Sequence, residues 1–337
     1  MFKIKLLAIL LLVFSTHSIF AQFTDVINSN RPGKSMSAFS VGKTVIQAEM
    51  GVNYSKETDE NANYDGKIWS SDLTLRYGVL YEQLEVLANF DYLNQTRSTS
   101  FFDIKESGLK KVTLGAKYLV YDPELNYEKK PNLYSWKANH QFNWRQFIPA
   151  VALYGGVNIN VARDKFRRLQ IPQDDGFTPQ DNSFSLKGMV LTQNQFGRYT
   201  LLTNIIIDKF PSRTMSLDYV LTMTRGFNSR VSGFVEIQGL KDNYDRDNFL
   251  RFGAAYLLKQ NLQVDASVGR NLQNAPSIIF GGIGVSWRFD ANYEDVMLRI
   301  PKEDKRSKLD KKSDKLKDKK KEKSKKRLDA VEDEKPK

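Results

Sequence analysis

The chain has 337 residues, a formal net charge of +12, 41% hydrophobic residues and no cysteine. Disulfides, thiolate metal sites and cysteine nucleophiles are therefore excluded. Beyond residue 21 no stretch holds the roughly 18 apolar residues that a membrane-spanning helix requires.

The chain opens with Lys3 and Lys5, continues through an apolar stretch over residues 6–14, and reaches a small residue at Ala21. This is the pattern of a secretory signal peptide cleaved after Ala21, with an uncleaved anchor as the alternative. No cysteine follows to carry a lipid. Residues 22–42 are expected to be a periplasmic segment ahead of the folded body, which is placed at residues 43–289.

Within that body the hydrophobic pattern has a period of two, repeated in segments of about ten residues. The first candidate, a weaker one, covers residues 44–55. The clearest runs over residues 67–80, where Trp69, Leu73, Leu75, Tyr77 and Val79 share one face and Ser70, Asp72, Thr74 and Arg76 the other. Successive strand side chains point to opposite sides, so one face is apolar and the other charged. Leu84, Val86, Ala88, Phe90 and Tyr92 then alternate with Glu85, Leu87, Asn89 and Asp91. Val112, Leu114, Ala116 and Tyr118 alternate with Lys111, Thr113 and Lys117. Weaker candidates lie at residues 136–147, 150–160, 183–192, 198–208 and 230–238. Strong alternation returns at residues 215–224, 250–258, 262–269 and 282–289, with Asp218, Arg251, Asp265 and Arg288 on the polar rows. The pattern predicts an all-β fold: a transmembrane antiparallel up-and-down β-barrel of about 12 strands, even-numbered so that both termini share the periplasm of a Gram-negative cell. A soluble sandwich or small barrel would show the same alternation with its apolar face inward. Aromatics near strand ends, such as Tyr54, Trp69, Tyr92, Tyr118 and Trp287, favour interfacial girdles and an outer-membrane lipid partner.

Short turns at residues 80–82, 226–228 and 259–260 suit the periplasmic side. Polar stretches at residues 56–66, 96–107, 163–182 and 241–248 are expected as extracellular loops, the third either folding into the lumen or lying on the surface. After Phe289 the alternation ends. Residues 290–337 form a basic low-complexity tail, and from residue 301 onward 17 Lys and Arg stand against 10 Asp and Glu. The high charge is thus chiefly a tail property and gives no ground for a nucleic-acid partner. Such a segment has too little apolar surface to fold alone, and it is expected in the periplasm, suited to contact peptidoglycan or an envelope protein.

His140 is the one histidine left after residue 21. One histidine supports neither a histidine zinc cluster nor, without a nucleophile motif beside it, a serine–histidine hydrolase. No catalytic, cofactor-binding or metal residues are assigned, and no cofactor is expected. The residues placed on the lumen-facing rows are Asp72, Arg76, Glu85, Asp91, Lys117, Asp218, Arg251, Asp265 and Arg288. They either line a conducting path and set its selectivity or pair across the interior and close it.

Three stretches carry a family resemblance. They are Asn30-Arg31-Pro32-Gly33-Lys34-Ser35 with Phe39-Ser40-Val41-Gly42-Lys43 and Gln47-Ala48-Glu49; Ser107-Gly108-Leu109 with residues 112–118; and residues 261–269. Together they resemble the MetA-pathway of phenol degradation family of outer-membrane transporters, over most of residues 28–289. The resemblance implies a barrel and the passage of small molecules, aromatic or hydrophobic ones among them. Asn30 stands where the family more often has aspartate, and Lys110-Lys111 where it often has a glycine and an acid. Two functions follow: a passive channel or facilitator for small solutes, and a non-conducting structural or interaction barrel that presents the basic tail.

Overall fold

The computed structural model describes residues 27–60, 63–99, 103–123, 144–162, 182–212, 214–242, 246–273 and 276–290. The expected signal peptide, His140 and the basic tail lie outside them.

Twelve strands are found among the described residues. They are β1 (Val45–Asp59), β2 (Tyr64–Gly78), β3 (Leu84–Thr99), β4 (Asp103–Tyr121), β5 (Ala150–Asn160) and β6 (Phe184–Phe196), followed by β7 (Tyr199–Phe210), β8 (Ser216–Gly226), β9 (Val231–Lys241), β10 (Arg246–Lys259), β11 (Leu262–Asn271) and β12 (Ser277–Asp290). Each pairs antiparallel with its neighbour in sequence, and β12 returns to β1 to close the ring. The closing seam runs from Val45↔Asp290 to Thr58↔Ser277. Closure matters because lipid offers no hydrogen bonds to an open strand edge.

The facing follows the alternation. On β2, Leu75 and Tyr77 point out and are exposed, while Arg76 between them is completely buried. On β12, Ile283, Val285, Trp287 and Phe289 point out, against inward Ser286 and Arg288. Exposed apolar side chains therefore cover the outside of the ring: Met50 is 48% exposed, Leu217 51% and Ile283 68%. A soluble barrel would turn these residues inward. We expect Leu75→Arg to impair assembly much more than Thr74→Arg, at a cost of roughly 2–4 kcal/mol for a charge in lipid. The folded, heat-modifiable fraction on a gel reads the difference, and equal tolerance of the two would overturn the facing.

Two polar stretches expected as loops are wall instead. Lys56 to Asp59 pair with Tyr64 to Lys67, and Thr96 to Ser98 pair with Asp103 to Lys105. β3 and β4 reach 16 and 19 residues, beyond the roughly 9–11 that cross a bilayer. Strand ends beyond that length no longer need an apolar outward row, so the apolar row stops while the ladder continues. Of the candidate strand at residues 136–147, the described part, Trp144–Phe147, is a 3-10 turn.

The main departure from the expected layout concerns residues 27–42. They were expected outside the body, but they run through the ring. Ser29 bonds Ser286 on β12, and Ser37 bonds Gln193 on β6. These strands are six places apart in the ring of twelve, so the segment crosses the interior. It leaves through a turn at Gly42, whose φ of 93° favours glycine, and the chain then enters β1.

Candidate functional site

At the level of the inserted segment the interior has two unlike sides, and the segment matches both. Around β5 to β8 the inward residues are Ala150, Ala152, Tyr154, Met189, Leu191, Ile206 and Val220, and Leu87 and Leu119 join them. Met36, Ala38 and Phe39 of the segment pack against this wall. Around β1 to β4 and β9 to β12 the inward rows are charged, and the backbone of the segment is bonded to them.

Three groups of wall side chains do this. In the first, Arg76 donates to both oxygens of Glu85 at 3.0–3.1 Å, to Glu49 at 3.0 Å and to the carbonyl of Asn28 at 2.8 Å. Lys117 Nζ lies 2.8 Å from Glu85 and donates to the carbonyls of Ser37 and Phe39, each at 2.8 Å. Glu85 also accepts the Val41 N–H at 2.8 Å. In the second, Glu236 accepts the N–H groups of Lys34 and Ser35 at 2.9 and 3.2 Å and the Thr222 hydroxyl at 2.8 Å, and Arg251 bonds the same carboxylate. In the third, Arg31 reaches out from the segment to Asp72, with Asp265 on its other side. Gln193 adds bonds to the Ser37 hydroxyl and the Ala38 N–H.

The physical logic is that the wall's own backbone groups are used in its ladder. An irregular segment inside the ring therefore satisfies its N–H and C=O groups largely with side chains. Arg76, Lys117, Glu85 and Glu236 are all fully buried, where charges persist only if paired and hydrogen-bonded. Here each has both kinds of partner.

A second charged group lies farther along the interior. Lys111 Nζ is 3.6 Å from Asp208 and 4.0 Å from Asp91. Asp208 accepts from Asn158 at 2.6 Å. Lys187 and Asp218 stand in the same electrostatic neighbourhood.

Of the residues predicted for the lumen, Arg76, Glu85 and Lys117 come together in one network, and Asp72 and Asp265 meet through Arg31. Arg251 joins Glu236, and Arg288 lies 3.6 Å from Asp290. Asp91 and Asp218 belong to the second group and do not touch the segment's bonds described above. The sequence reading missed Glu49, Gln193, Lys187, Asp208 and Glu236. All five sit on or beside strands identified only as weak candidates, and their parity was the signal that would have found them. Arg31 and the carbonyls of residues 28–39 carry no periodic signal. Among the described residues no group of three or more histidine, aspartate or glutamate side chains is placed to hold a metal ion.

A closed antiparallel barrel with a lipid-facing apolar exterior and a charged interior defines an outer-membrane β-barrel protein. The chain matches the family described as "Putative MetA-pathway of phenol degradation" over residues 29–289, and it belongs to that family. Among solved structures it is similar to the transport unit of the autotransporter AIDA-I from Escherichia coli, at 9% identity and a TM-score of 0.44, covering 78% of this chain and 93% of that one. It is also similar to the CymD monoaromatic hydrocarbon channel, at 10% identity and a TM-score of 0.41, covering 74% and 90%. The KdgM porin is similar at 9% identity and a TM-score of 0.40, covering 71% and 99%. Comparison with curated proteins gives no match.

Proposed function

We propose that this protein is a passive outer-membrane channel or facilitator for small solutes, aromatic or hydrophobic ones included, and that residues 27–42 hold it closed. The observation that carries the reading is the inserted segment itself. The ladder closes without it, and wall side chains grip its backbone through hydrogen bonds. Beside the segment, Ala152, Leu191, Ile206 and Val220 form an apolar patch on the inner wall, a surface along which a solute with an apolar body can move. The family description, which names phenol degradation, points the same way. Lys111, Lys187, Asp91, Asp208 and Asp218 then form the charged zone that a solute meets beyond the segment, and the inward residues predicted from sequence act as lining or as latch.

Liposomes carrying the chain without residues 22–42 should take up 4-hydroxybenzoate faster than a sugar of similar size. Uptake equal to that of protein-free liposomes would remove the channel reading. If the protein conducts ions, Lys111→Glu with Lys187→Glu should shift reversal potentials in a salt gradient toward cations, because rows of like charge set pore selectivity. Unchanged potentials would take these lysines out of the path.

The second reading, a non-conducting interaction barrel, draws on the same occupied interior. In it the segment is permanent, and the protein serves to present its lysine-rich tail to peptidoglycan or an envelope partner. β12 ends opposite the start of β1, so the chain leaves the wall at the rim where it entered. On either reading we place this rim and the tail in the periplasm. Cleavage of the tail by protease on intact cells would invert that topology.

A further inference from the structure

We propose that Asp72, Gly51, Gly284 and Asp265 form a slot in the lumen wall that binds a guanidinium group, filled by Arg31 while the segment is in place and open to a guanidinium-bearing solute when Arg31 leaves. The proposal rests on the reading of residues 27–42 as removable. The four residues form one row across four adjacent strands. Asp72 on β2 pairs with Gly51 on β1, Gly51 with Gly284 on β12, and Gly284 with Asp265 on β11. Neighbouring strands are about 4.8 Å apart. The row therefore sets two carboxylates at its ends and two positions without side chains between them.

Those two positions are the floor. A Cβ at Gly51 would stand 2.1 Å from Arg31 Nη1, and one at Gly284 would stand 2.2 Å from Arg31 Nε. The guanidinium plane therefore lies directly on the strand backbone, closer than any other residue type permits. Asn53 fixes one end by donating to Asp72 Oδ1 at 2.8 Å. The carbonyl of Ile283 accepts from Arg31 Nη2 at 3.4 Å. Lys34 and Glu49 supply the nearby charges of either sign.

Arg31 does not satisfy this slot fully. Its Nη1 bonds Asp72, but its Nε stands 3.5 Å from Asp265, and neither oxygen of that buried carboxylate accepts a hydrogen bond among the described residues. A carboxylate buried without hydrogen bonds is costly. The tether explains the shortfall: Arg31 is held by its own backbone, whose N–H bonds Ser29 and whose carbonyl accepts from Gln263. A guanidinium on a free solute has five donors in a planar fork and no such tether. It can slide along the glycine floor and bond both ends. An ammonium, as a compact point charge, reaches one end only. The slot thus has affinity that its resident arginine leaves unused, and a solute that takes it displaces the contact holding the segment to four strands.

The test uses the full mature chain carrying Arg31→Ala, shown to be folded by its heat-modifiable migration. Titration calorimetry with argininamide should give binding about tenfold or more tighter than with lysinamide, and about tenfold or more tighter than argininamide gives with the wild-type chain, a gap of 1.4 kcal/mol or more. Asp265→Asn and, separately, Gly284→Ala, each added to Arg31→Ala, should abolish the preference, the first by removing an end and the second by filling the floor. Equal binding of the two amides, no binding at all, or a preference that survives both added changes would overturn the slot. Argininamide should also raise the open probability of the wild-type chain in planar bilayers. Selective binding without any current supports the slot and counts against the channel reading instead, whereas a current response without binding to Arg31→Ala overturns the slot alone.

Discussion

Deleting residues 22–42 should turn a mostly silent barrel into one with steady unitary currents, an increase of roughly tenfold or more in mean conductance. The wall does not depend on the segment for closure, since the β1–β12 seam is paired along its length. Without the segment, Glu85, Lys117, Glu236, Gln193 and Arg76 lose their bonds to its backbone. The charged ones keep their ion pairs within the wall, and water replaces the rest. The apolar patch around Leu191 and Val220 loses Met36, Ala38 and Phe39 and becomes a wetted wall. Planar-bilayer recording of the deletion protein beside the full mature chain reads the effect, with heat-modifiable migration as the control for folding. A peptide of residues 27–42 added to the deletion protein should quench its currents. Silence of both proteins would mean that the wall side chains close the interior, and the interaction-barrel reading would then stand, whereas equal steady currents in both would show that the segment does not close the channel.

How much of this was legible in the sequence depends on which water or lipid each residue meets. From Leu73 to Tyr77 a lipid row faces a polar row, and the period of two is unbroken, so both the strand and its facing could be read. Residues 56–59 and 96–98 are strand as well, but both faces there carry polar residues, and without an apolar row they read as loop. The weak candidates at residues 183–192 and 230–238 have inward apolar residues, Met189 and Leu191 or Phe234, that blur the alternation. That blurring concealed Lys187 and Glu236. The segment at residues 27–42 is irregular and has no period at all. Its role is set by the partners of its backbone groups, which no side-chain pattern encodes. An excess of polar inward residues could be seen. That the chain's own beginning meets them could not.

The largest effect of a single substitution on stability should come from Arg76→Met, at about 3–5 kcal/mol, because it leaves buried carboxylates without their main cation. Arg76 is fully buried, as is Glu85, and Glu49 is nearly so. The guanidinium bridges the two through parallel donors, the geometry in which arginine exceeds lysine. With methionine in its place, Glu85 retains Lys117 and the Val41 N–H, while Glu49 retains only Gln47 and a longer bond from the Asn30 N–H. Arg76→Lys should lie between methionine and the wild type, since it keeps the charge and loses the fork. Neutralising both acids in the methionine background, with Glu49→Gln and Glu85→Gln, should recover much of the loss, because a buried pair replaced as a unit leaves no stranded charge. Reversible urea unfolding in detergent measures all four proteins. Proteolysis in the folded state should show residues 27–42 released first in Arg76→Met, since the Asn28 carbonyl loses its 2.8 Å donor. If Arg76→Met unfolded within about 0.5 kcal/mol of the wild type, the range of ordinary surface changes, the network would be a hydrated ion cloud, and the grip on the segment would have to reside in Glu236 and Arg31.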